Sequence, residues 1–290
     1  MKKMMTLAAV AILMAACNNE TEGLENTSKY ITVEADMAGE SRVAAKDAFA
    51  NGNKIRVYAW TGSTEALPDS YVVNSTNTYD GTNWTASPQM LWQDGTTKHY
   101  FLSIYPDRDI TNTEYTLGEE LLIATNFGTD NAGVTPTPNP VSLAFDRVLS
   151  KLRVNLNFRN QWDATPEVTK VEATAKKTAT VTFLTKTVTA KADETATAIP
   201  LDAQTTAATD YDLSYESLMI PQEFTGVTIT VDGQEFKYTG SATLASGKVT
   251  TLNLNVGRDK VTLASEITIN GWVDNGEPIT GEAQIGRAHV

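Results

Sequence analysis

Cysteine is almost missing: Cys17 is the single one in 290 residues. Without a second cysteine no intrachain disulfide can form, so an exported protein of this size must be held together by packed cores. Histidine is nearly as scarce, represented by His99 and His289. A metal site would therefore have to rest on carboxylates with at most one imidazole, and none is expected. His99 stands in the extended run Lys98-His99-Tyr100-Phe101, where a structural role is expected rather than a place in a Ser-His-Asp arrangement. No glycine-rich phosphate cradle, Gly-x-Ser-x-Gly elbow or calcium-loop spacing occurs. The adjacent Glu119-Glu120 reads as solvated charge, because the paired acids of a glycosidase come from separate elements. These absences leave no catalytic residue to nominate and no cofactor to expect. Basic charge is also short. The formal net charge is -12, and more negative once Lys2, Lys3 and Arg287 are set aside, which gives a surface that repels nucleic acid and anionic lipid. Beyond the N-terminus no apolar run approaches the roughly 20 residues that span a bilayer as a helix.

What is present begins with the first residues. Lys2-Lys3, an apolar stretch from Leu7 to Met14, and Ala15-Ala16 directly before Cys17 form a lipoprotein signal peptide, with the cleavage site at the cysteine. The apolar stretch is too short to span a bilayer. Cys17 would become the lipidated N-terminus, and its two acyl chains would anchor stably where one binds marginally. Asn18-Asn19-Glu20-Thr21-Glu22 carries no aspartate next to the cysteine and reads as an acidic tether to the outer membrane. At the other end, Ile285-Gly286-Arg287-Ala288-His289-Val290 is what the codons ATC GGA AGA GCA CAC GTC encode. That string reads as a sequencing-library adapter, so residues 285–290 are set aside as read-through.

Between these ends the dominant period is two. Leu152, Val154, Leu156 and Phe158 alternate with Lys151, Arg153, Asn155 and Asn157, a strand with one buried and one wet face. Ile55-Val57-Ala59, Val181-Phe183, Val227-Ile229-Val231 and Leu252-Leu254-Val256 alternate likewise. Asp232-Gly233 between two such runs is a strong hairpin signal, and Tyr79-Asp80-Gly81 a weaker one. A short helix is expected over Glu119 to Ala124. The fold class is all-β, with antiparallel sheets packed as sandwiches. Gly128 to Gly133, followed by Pro136, Pro138 and Pro140, breaks any ladder and suggests a boundary near residue 140. The expected organisation is a signal peptide over 1–16, an acidic tether over 17–28, and two β-sandwich domains over 29–139 and 140–284.

Several segments, in order, resemble the fimbrillin family, the subunits of type V pili. They are the lipoprotein leader; Trp92 followed by His99-Tyr100-Phe101-Leu102-Ser103-Ile104-Tyr105-Pro106; Phe145-Asp146-Arg147-Val148-Leu149-Ser150-Lys151-Leu152; Leu218-Met219-Ile220-Pro221-Gln222; Gly247 before Leu252-Asn253-Leu254-Asn255-Val256; and Ile267-Thr268-Ile269-Asn270-Gly271-Trp272. Arg147 departs from the pattern, since relatives often carry histidine there. The resemblance implies two transthyretin-like antiparallel sandwiches and a cell-surface location. It also implies partnership with other pilus subunits through donor-strand exchange, triggered when an Arg-specific protease removes the first strand. Here that strand would be Tyr30-Ile31-Thr32-Val33-Glu34-Ala35, and the candidate processing site is Arg42 in the small-residue stretch Ala38 to Ala45. Arg56 is the inferior candidate because it lies within a strand pattern.

Five tryptophans remain as binding candidates. Trp84, beside a turn, and Trp162, in Asn160-Gln161-Trp162-Asp163, read as exposed enough to stack a sugar, although tryptophan in a sandwich more often fills the core. Trp272, at the end of a strand pattern, reads as packing. Two functions stand side by side: a structural or adhesive pilus component, and a surface lipoprotein that binds host or bacterial glycan without polymerising.

Overall fold

The computed structural model describes residues 29–38, 49–64, 66–158 and 162–272. The leader, the tether, Arg42 and the adapter-like tail lie outside the described residues. The expected all-β class is what is found: among the described residues the only helical element is a short 3-10 turn, Thr129–Asn131.

The first unit is built from β1 (Val33–Met37), β2 (Lys54–Trp60), β3 (Val73–Tyr79), β4 (Trp84–Ser87), β5 (Tyr100–Tyr105), β6 (Glu114–Thr116), β7 (Leu122–Asn126) and β8 (Val141–Arg147). Seven of these form one sheet in the order β1-β8-β7-β5-β2-β3-β4. Its two edges meet. Just before β1, Tyr30 bridges Leu91, Ile31 N donates to Met90 O at 3.1 Å, and Trp92 N donates to Lys29 O at 3.1 Å. The rolled sheet encloses a core of Val33, Ala35, Ile55, Val57, Phe101, Leu143 and Phe145. Its other face carries Tyr58, Trp60, Leu102, Ile104 and Ile123 into a second core.

The second unit continues through β9 (Ser150–Asn157), β10 (Val168–Ala175), β11 (Thr178–Thr182), β12 (Thr187–Ala190), β13 (Thr197–Pro200), β14 (Asp202–Ala203), β15 (Leu213–Met219), β16 (Gln222–Phe224), β17 (Val227–Val231), β18 (Gln234–Tyr238), β19 (Ala242–Leu244), β20 (Lys248–Val256), β21 (Val261–Leu263) and β22 (Thr268–Gly271). The sheet β14-β15-β9-β20-β21, with β22 also on β20, packs against β13-β10-β17-β18. Leu152, Val154 and Leu156 meet Val171, Ala173 and Ile229 in its core. The expected Asp-Gly hairpin joins β17 to β18, with Asp232 at φ 48 and Gly233 at φ 78. Both values lie in the left-handed region that a two-residue hairpin of this kind requires.

Three expectations need correction. The segment read as a short helix, Glu119 to Ala124, holds none: its last three residues open strand β7. That strand lies in the middle of the sheet with Leu122 and Ala124 facing one core and Ile123 the other, and burial on both faces erases the alternation that marks a strand. The change of sheet does not fall at residue 140. The proline-rich stretch is a loop inside the first unit, β8 pairs with β7 and β1, and the chain crosses between Arg147 and Ser150 through buried Val148-Leu149. The sheets are not wholly antiparallel either, since β1 pairs with β8 and β9 with β20 in parallel.

Candidate functional site

The strand read as the first of the fold is an edge strand. Among the described residues β1 pairs in register with β8 alone, from Val33↔Val141 to Met37↔Phe145. Ile31, Val33, Ala35 and Met37 are buried in the first core, while Thr32, Glu34 and Asp36 point the other way. Each fully buried aliphatic side chain of this kind contributes about 1.5–3 kcal/mol relative to exposure. Asn139 holds the entry to the strand. Its Oδ1 accepts from Thr32 N at 3.1 Å and Thr32 Oγ1 at 3.1 Å, and its Nδ2 donates to Tyr30 O at 3.1 Å. On either side of the segment that carries Arg42, Ala38 N donates to Phe145 O at 2.8 Å and the Phe49 ring lies 5.4 Å from that of Phe145.

Beyond the Tyr30–Leu91 bridge the two sheet edges diverge. They leave a cleft of about 580 Å³ between β1 and the β3–β4 turn, lined by Thr32 to Ala35, Phe49, Tyr79, Trp84 and Pro140. Asp80 shapes the turn: its Oδ1 accepts from Thr82 N at 2.8 Å and Asn83 N at 2.6 Å, and these bonds hold its carboxyl below the usual carboxylate range. Trp84 is half-buried, tilted against Tyr79 at 5.0 Å and edge-on to Phe49 at 5.2 Å. It lies at the cleft rather than on an open surface.

Trp162 is placed differently. Its Nε1 donates to Val256 O at 2.9 Å, Phe158 meets it edge-on, and the Arg258 guanidinium lies 5.5 Å from its ring centre. The structure does not bring the two tryptophans together: one packs on each core. Trp272 is nearly buried, with Arg147 at 5.0 Å and Lys151 at 4.7 Å from its ring centre. Arg56, the inferior processing candidate, is in β2 and pairs with Asp107 at 2.6 Å. His99 is fully buried, its Nδ1 3.0 Å from Thr97 O and its Nε2 accepting from Gln93 N at 3.3 Å. Those contacts fix a neutral tautomer with the proton on Nδ1, and burial lowers its pKa. Phe49 and Asn139 are the site residues that sequence reading missed. A phenylalanine following a small-residue stretch and an asparagine between prolines carry no local pattern that points to a sheet edge.

Among the described residues no cluster of three or more His, Cys, Asp or Glu side chains is arranged to hold a metal, and no helix is long and apolar enough to cross a membrane. What the fold does define is a protein of two β-rich units in which, among the described residues, β1 is an edge strand. The chain belongs to the Fimbrillin-like family, whose pattern it matches over residues 41–272. Its fold is similar to that of a structure from Bacteroides uniformis assigned to cell adhesion, at 16% identity and a TM-score of 0.64, covering 85% of this chain and 100% of that one. A Bacteroides ovatus structure with the same assignment aligns at 15% identity and a TM-score of 0.62, covering 84% and 98%. A fimbrial protein from Bacteroides vulgatus aligns at 15% and 0.53, covering 85% and 100%. At such identities the likeness is one of fold. No curated protein matches at the sequence level. The family is one of fimbrial structural and adhesion proteins, which places this chain with pilus subunits at the cell surface.

Proposed function

We propose that this protein is a structural and adhesive subunit of a cell-surface pilus, exported as a lipoprotein through Cys17 and held on the outer membrane at least as a precursor. It assembles by donor-strand exchange after an Arg-specific protease cuts at Arg42, and adhesion is to a host or bacterial surface glycan. The observation that carries this reading is β1. Among the described residues it is an edge strand with alternate residues buried and a single strand partner, so its removal would open an apolar groove along β8, floored by Val141, Leu143 and Phe145. An extended segment of a neighbouring subunit could fill that groove, with main-chain hydrogen bonds supplying affinity and alternate side chains supplying register. Such a head-to-tail contact does not close on itself and so builds a filament. The cleft beside Trp84 supports the second reading, a surface lipoprotein that binds glycan and never polymerises.

The test is assembly. The unlipidated chain over 18–284 is treated with an Arg-specific protease and run unboiled on a denaturing gel beside Arg42→Ala. A ladder with the cleavable protein alone is the expected result. A clipped protein that stays monomeric would favour the non-polymerising lipoprotein.

A further inference from the structure

We infer that the cleft between β1 and the β3–β4 turn is a carbohydrate site, and that its ligand is a neutral oligosaccharide with one pyranose ring seated on Trp84. The inference rests on the glycan part of the reading above and not on polymerisation: β1 forms one wall of the cleft, so the site belongs to the chain before any cut at Arg42.

Its volume of about 580 Å³ falls within the about 300–1,000 Å³ of small-molecule sites. Its lining is of two kinds. Phe49, Tyr79 and Trp84 provide an apolar aromatic wall whose rings are braced edge-on and tilted against one another. That wall is set before a ligand arrives, so little rotamer freedom is lost on binding. Around it stand Glu34 on β1 and Asn83 on the turn, a carboxylate and an amide. Asn83 is exposed, and its backbone N–H is already committed to Asp80, so the side chain can serve the ligand without a change of backbone. An apolar wall facing polar groups suits a sugar ring, which has a C–H face and a hydroxyl rim.

The charge narrows the class. Among the described residues Glu34 is the one charged side chain along the cleft, and the chain carries a net charge of -12. A sialylated or uronic-acid sugar would bring like charge to it, whereas a neutral sugar would not.

The experiment titrates the unlipidated chain over 18–284, uncut at Arg42, with methyl β-galactoside, lactose, cellobiose and sialyllactose, reading tryptophan emission and the indole N–H resonances. One neutral saccharide is expected to saturate and to shift the Trp84 indole, with sialyllactose at least about tenfold weaker. Trp84→Ala and Asn83→Ala should each weaken binding by about tenfold, equivalent to about 1.4 kcal/mol, while Trp162→Ala should bind as the parent does. Asn83→Ala guards against a folding failure of the tryptophan variant, because its side chain is exposed. The proposal is overturned if no neutral saccharide binds at up to about 10 mM or if Asn83→Ala binds unchanged. It is equally overturned if a peptide copying Tyr30 to Ala35 takes the cleft instead. A chain that ladders after proteolysis yet binds no sugar keeps the pilus reading and loses this one.

Discussion

His99 shows how one buried residue can make the stability of the first unit depend on pH. It is fully buried, it meets Trp92 edge-on at 5.0 Å, and both ring nitrogens are committed to backbone groups. A second proton on Nε2 would break the bond from Gln93 N and place a charge in an apolar setting, so burial holds the pKa below the ordinary 6.5. The unfolded chain then binds more protons than the folded one in the window just below 6.5, and stability falls as pH drops through it. Denaturant midpoints measured between pH 7.5 and 5.5 should decline in the parent, and His99→Gln should flatten that decline while lowering stability throughout. A parent curve flat across this range would show that His99 protonates freely in the folded state.

Asn139 plays the corresponding part for an element. Three hydrogen bonds from this one side chain fasten the entry to β1, and each is worth about 0.5–1.5 kcal/mol net. Asn139→Ala should therefore leave the rest of the sheet intact while β1 opens more often. The check is hydrogen exchange: the amides of Ile31 to Met37 should lose protection by about tenfold or more, with those of β9 and β20 unchanged. Equal loss everywhere would mean that β1 opens only with the whole unit. Much of the element pattern was legible in the sequence, because a strand with one wet face shows its alternation. Leu152, Val154 and Leu156 and the Asp232-Gly233 hairpin were read on that basis. β7 was not, because both of its faces are buried, and a continuous apolar run cannot be told from a buried helix by period. The edge position of β1 was legible only through the family resemblance. The cleft was half legible: Trp84 was picked out by type and turn, but Phe49 and Glu34 reach it through the rolling of the sheet, a long-range event with no local signature.

At the scale of the whole molecule, the two units are joined by more than the link through Val148-Leu149. β11 of the second unit pairs with β6 of the first at Thr178↔Thr116, Ala179↔Tyr115 and Thr180↔Glu114, extended by bonds from Leu117 N to Lys177 O at 2.7 Å and Val181 N to Thr113 O at 2.8 Å. The core behind this joint is shared: Tyr58, Ile104 and Ile123 come from the first unit, and Val181, Phe183 and Val188 from the second. Lys186 with Asp146 and Lys191 with Glu114, each at 2.5 Å, add ion pairs across it, although pairs this exposed are worth about 0–1 kcal/mol. The apolar core and the ladder therefore carry the joint, and it should behave as one cooperative block. Ala179 is the place to test it, being fully buried in the shared core. Ala179→Arg would force volume and an unpaired charge into that core, at a cost of several kcal/mol. In the parent, urea unfolding followed by hydrogen exchange in β2 and in β17 should give coincident midpoints. In the variant, the β2 midpoint should fall well below that of β17, whose core does not include this residue. Separate midpoints already in the parent would show that the two units unfold independently and that the β6–β11 joint is a contact rather than a coupling.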